Sequence, residues 1–86
     1  MAKIAIKDVI IDYLKTLPNG KIIPSYDLEN DFPNHGKLKF GLQAMISTYS
    51  REFRRLRETP AELALAGLAI REVPGESKVK LFQVVR

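Results

Sequence analysis

The chain has no cysteine, which excludes disulfides and any thiolate metal site. A single histidine, His35, excludes a histidine-based metal site nearly as firmly. No apolar run approaches the roughly 20 residues that a membrane-crossing helix needs. The opening MAKIAIKDVI lacks the long apolar core and small-residue cleavage site of a signal peptide. The glycines (Gly20, Gly36, Gly41, Gly67 and Gly75) are too scattered for a phosphate loop. Repeats, low-complexity tracts and linkers are missing as well. What remains is one continuous unit, residues 1–86, with an apolar fraction of 45%, enough for a single modest core. The chain reads most simply as a soluble cytoplasmic protein.

Periodicity supplies the elements. Ile6, Val9, Ile10, Tyr13, Leu14 and Leu17 recur in steps of three and four, which predicts an amphipathic helix ending at the turn residues Pro18, Asn19 and Gly20. Residues 21–23 (KII) suit a very short strand. A second short helix is expected from Pro24 and Ser25 to about Asn30, with Ser25 as its N-cap. DFPNHGK then reads as a loop, because Pro33, Asn34 and Gly36 are turn formers. Leu42, Met45, Ile46, Tyr49, Phe53 and Leu56 fall within roughly 100° on a helical wheel. They define either one helix over residues 42–58 or a helix broken near Ser47 and Thr48. Pro60 limits its end, and AELALAG adds a helical turn closed by Gly67. The branched, aromatic-rich LAIREV and KVKLFQVV, separated by PGES, predict a β-hairpin. The class is α+β, with about three helices before the hairpin.

The net charge of +4 points to an acidic partner without naming one. Its distribution is more informative. Asp27, Glu29 and Asp31 lie together, whereas Arg51, Arg54, Arg55 and Arg57 crowd into seven residues of STYSREFRRLRE. On the wheel, Arg51, Arg54, Arg55 and Ser47 stand opposite the apolar stripe, with Arg57 and Glu52 flanking it. Each like-charge pair at a spacing of three or four destabilises an isolated helix by roughly 0.2–0.5 kcal/mol. Glu58 offsets part of this, and an external polyanion would relieve the rest. The arginine fork is also suited to phosphate or to the O6 and N7 edge of guanine. The same run equally reads as a solvated face with cations near a helix C-terminus, where the dipole favours them.

In order, the elements and the motif ISTYSREFRRLRE followed by AGLAIREVPGESKVKLFQVV resemble the winged helix-turn-helix family. Family members carry a serine- or threonine-led recognition helix ending in an R-x-L-x register, then a glycine-led wing strand and a hairpin. Residues 47–58, the run Gly67, Leu68, Ala69 and Ile70, and the hairpin around Gly75 correspond to these. Residues 32–40 and 59–66 are longer connections than the family usually has. The resemblance implies a small transcriptional regulator of bacterial, plasmid or phage type that binds double-stranded DNA with its recognition helix in the major groove. Ser47, Thr48 and Ser50 would meet phosphates or base edges, and Arg51, Arg54 and Arg55 would read bases or clamp the backbone. Lys78 and Lys80 would reach flanking DNA from the wing, and Lys37 and Lys39 the backbone ahead of the helix. Tyr49, Phe53 and Leu56 would hold the helix in the core. A homodimer, paired through the first helix or residues 59–66, would suit a two-fold operator.

Two other partners fit the arginine face. A winged helix can dock on an acidic protein, including as an inhibitor occupying a nucleic-acid site, and structured RNA offers phosphates too. Other signals are weaker. Asp27, Glu29 and Asp31 lack the glycine and further oxygen ligands of a calcium loop and read as a solvated helix end. His35 has no serine, cysteine or carboxylate arrangement to make it a catalytic base. The reading is of a non-enzyme without cofactor or metal.

Overall fold

The computed structural model describes residues 4–75 and 78–86. They form four helices and a three-stranded antiparallel sheet: α1 (Ile6–Thr16), β1 (Ile22–Pro24), α2 (Ser25–Phe40), α3 (Ile46–Glu58), α4 (Pro60–Leu65), β2 (Ala69–Val73) and β3 (Leu81–Val85). No helix among the described residues is long and apolar enough to cross a membrane.

The first stripe behaves as its spacing requires. Val9, Ile10 and Leu14 are buried, and the helix stops at Leu17, one residue before Pro18. Asp8 accepts the Ala5 N–H at 3.3 Å and so satisfies one orphan donor at the helix start. At the other end the Arg86 guanidinium donates to the carbonyls of Lys15 and Leu17, which the helix leaves unpaired.

The strands stand in the order β1-β3-β2. Ile23 faces Phe82, and Ile70 faces Val84, so alternate residues of the central strand enter the core. Phe82 and Val84 are buried there. Glu76 and Ser77 of the expected PGES turn lie outside the described residues. The very short strand predicted at residues 21–23 is displaced by one residue, to Ile22–Pro24.

Three boundaries differ from the sequence expectation. First, α2 does not stop at Asn30, and DFPNHGK is helical rather than a loop. Pro33 removes one intrahelical bond and would normally end a helix. Burial overrides it: Leu28, Phe32 and Gly36, spaced four apart, are all buried, and a helical course is what puts all three on the core side. Gly41, at φ 65°, closes the helix instead, with its N–H on the Lys37 carbonyl at 3.1 Å. Second, Ser25 is the first helical residue and not the N-cap, a place taken by Pro24 in extended geometry. Third, α3 starts at Ile46, neither at Leu42 nor at the hydroxyls of Ser47 and Thr48. Tyr49, Phe53 and Leu56 are buried, while Met45 and Ile46 at the top of the same stripe are exposed. The α2–α3 connection is thus residues 41–45. The expected long link over residues 59–66 is largely taken up by α4, with Gly67 at φ 75° beyond it.

At Gly36, α2 lies against Tyr49 of α3 with no room for a side chain. A methyl added there would run into the Tyr49 hydroxyl and sit 3.2 Å from Val9 Cγ1. That hydroxyl is buried without a hydrogen-bond partner among the described residues. In an exposed helix, Gly→Ala gains about 1 kcal/mol. Here Gly36→Ala is expected to lower stability by ~1–3 kcal/mol through overpacking. Tyr49→Phe in the same chain should recover part of the loss by deleting the obstructing oxygen. Denaturant unfolding of the single and double variants checks both, and a stabilised Gly36→Ala would overturn the packing described.

Candidate nucleic-acid interface

Side chains from α2, α3 and β3 enclose an open groove of about 680 Å³. Ser50, Arg51, Arg54, Arg57 and Glu58 line it from α3, Ser25 and Glu29 from the start of α2, and Lys80 and Phe82 from β3 and the residue before it. A backbone bond holds the walls in place: the Ser25 N–H donates to the Lys80 carbonyl at 2.9 Å. Residues 25, 50 and 80 are far apart in sequence, so the sheet and the α2 start bring their side chains together.

The four arginines of α3 have four different surroundings. Arg51 is exposed and makes no ion pair or hydrogen bond among the described residues. Arg54 is exposed and pairs with Glu58 at 3.1 Å, one turn along the helix. Arg55 turns toward α4: its guanidinium meets Glu52 at 3.0 Å and Glu62 at 3.2 Å. Glu62 and then Glu52 raise its already high pKa. Arg57 lies over Phe82 and Phe53, 4.5 Å and 4.9 Å from the ring centres. Burial lowers its pKa, although an arginine stays charged in a protein.

The sequence-derived site therefore divides. The groove gathers Ser50, Arg51, Arg54 and Lys80. Ser47 is exposed on the first turn of α3 and Thr48 half-buried beside it, both outside the groove lining. Lys37 is exposed in the last turn of α2, and Lys78 lines a separate hollow at the β2–β3 loop together with Lys80. Arg55 and Lys39 are each engaged by carboxylates. Two of the groove's donors escape the sequence reading. Ser25 reads as a cap, and Arg57 only flanks the wheel's basic face. The one local signal for Arg57 is its place four residues after Phe53, the spacing that stacks a side chain on its neighbour.

Lys39 belongs to a different cluster. Its ammonium and His35 Nε2 both lie 2.7 Å from Asp12 Oδ2, which ties α2 to α1. Nearby, the Tyr13 hydroxyl donates to Asp31 at 2.9 Å. Asp27 sits in the first turn of α2 and Glu29 lines the groove, so the three acidic residues face different surroundings.

Lys39 first and then His35 hold the Asp12 carboxyl below the usual carboxylate range. A depressed folded pKa contributes stability above the unfolded value of about 4, lost as pH falls through the lower folded value. Wild type is therefore expected to melt higher than Asp12→Asn at neutral pH, with the gap closing as the solution is acidified below that range. Thermal melts across pH test this, and a gap that persists in acid would refute it.

No protein-family model, curated protein or solved structure matches this chain.

Proposed function

We propose that this chain is a winged helix that binds double-stranded DNA as a small transcriptional regulator, with α3 as its recognition helix and the β2–β3 hairpin as its wing. The order α1, β1, α2, α3 and hairpin supports that reading, with α4 as an added turn between helix and wing. One observation carries it: Arg51 stands unpaired on the exposed face of α3, beside Arg54, Ser50 and Lys80 in one groove. In this reading Arg51 and Arg54 approach base edges or phosphates in the major groove. Lys80 and Lys78 reach the flanking backbone, and Ser47 and Thr48 sit at the helix end that enters first. Arg55 holds α3 to α4 through Glu62 and makes no DNA contact. A homodimer on a two-fold site is compatible with the exposed α4 side chain of Leu65.

A specific observation also favours a protein partner. Leu38, Met45 and Ile46 are exposed around the end of α2 and the start of α3, at 86%, 73% and 48% of their full accessibility. Apolar exposure of this extent suits a docking surface.

Duplex DNA titrations at low and physiological salt separate the readings. Wild-type affinity should fall with salt by a logarithmic slope of about 0.9 per phosphate neutralised. Arg51→Ala/Arg54→Ala should weaken binding and lower that slope by about 2, while melting like wild type. Arg55→Ala should lose thermal stability and keep the slope. Absence of binding at low salt would refute the DNA reading and shift the weight to the protein partner.

A further inference from the structure

We infer that the groove floor at Arg57 is a seat for one phosphate group, filled on the functional reading above by a backbone phosphodiester of the bound duplex. The inference rests on that reading for its source of phosphate, but its geometry stands apart from the exposed arginines. Arg57 is fixed by two aromatic faces, those of Phe53 and Phe82, which are themselves buried. A guanidinium stacked in this way has already lost most of its rotamer freedom, so further hydrogen bonds cost little ordering entropy.

Its hydrogen-bonding capacity is unspent. The Nε atom of Arg57 is enclosed without a partner, and the guanidinium makes no ion pair among the described residues. The contrast with its neighbours on α3 is direct, because Glu58 takes Arg54, and Glu52 and Glu62 take Arg55. Glu72, Glu58 and Glu29 act on Arg57 only at longer range. A partly desolvated cation left without an acceptor is unfavourable, and an anion entering the groove supplies what the protein withholds.

The surroundings select the kind of anion. Arg51, Arg57 and Lys80 are cations without an ion pair among the described residues lining the groove, facing Glu29 and the already paired Glu58. Ser25 and Ser50 add neutral hydroxyl donors from α2 and α3. These donors come from three elements and converge from several directions. A planar carboxylate is satisfied by one fork, whereas a tetrahedral phosphate presents acceptors all round and suits donors on separate walls.

Nitrogen-15 NMR of the arginine side chains and backbone amides provides the test, with inorganic phosphate and duplex DNA as separate titrants and chloride matched for ionic strength. Phosphate should move the Arg57 Nε–H and Ser50 amide signals at millimolar concentration, where chloride does not. Arg57→Gln should abolish the Ser50 shift, weaken duplex binding about tenfold and reduce the salt slope by about 1. Arg57→Lys, which keeps the charge and loses the fork, should recover the slope and only part of the affinity. The phosphate arm on wild type needs no variant to fold. Phosphate shifts no larger than those from chloride overturn the seat, as does a folded Arg57→Gln that binds duplex like wild type; in the latter case the DNA reading stands. Shifts with phosphate but no duplex binding support the seat and defeat the DNA reading.

Discussion

Phe53 is the side chain on which the rest of the molecule depends. It stands 5.1 Å from Phe32 of α2 and 5.4 Å from Phe82 of β3, ring centre to ring centre. Tyr13 of α1 extends the series at 5.6 Å from Phe32. One aromatic column thus runs through three helices into the sheet, and each ring buries large apolar area at favourable tilted or edge-to-face angles. The orientation of α3 follows, because its buried residues Tyr49, Phe53 and Leu56 must meet that column. Its opposite face then points outward with its arginines.

The same column reaches the functional surface. Arg57 lies over its last two rings, so the packing that folds the domain also fixes a cation in the groove. Core and candidate site are continuous here. Charge is arranged by a second rule: acidic residues are spent where arginines or lysines serve structure. Glu52 and Glu62 hold Arg55, and Asp12 holds Lys39. Arg51 and Lys80 are left unpaired on the groove. A basic surplus of +4 becomes a directed surface by this sorting.

Much of the fold was legible in the residues. The stripe from Ile6 to Leu17 gave α1, the branched C-terminal runs gave the hairpin, and Gly67 marked the end of α4. The failure at residues 31–40 is instructive. Pro33, Asn34 and Gly36 carry strong local turn preferences, yet the helix persists because Phe32 and Gly36 are needed against the core. Local preference of this kind is a weak prior once burial competes with it. The stripe on α3 misled in the opposite direction: Met45 and Ile46 continue its spacing yet are exposed, while Leu42 packs against the core from the connection ahead of the helix.

By itself, the sequence determined that an arginine-rich helix would be anchored by Tyr49, Phe53 and Leu56, because spacing along one helix fixes which side chains share a face. It also set the local partnerships at three and four residues, such as Arg54 with Glu58. Only the tertiary structure decided which arginines remain available. Glu62, Phe82, Lys80 and Ser25 come from four other places in the chain, and each draws one cation toward structure or adds one donor to the groove. Such choices depend on distances across elements, and these exist only after the core has closed around Phe53.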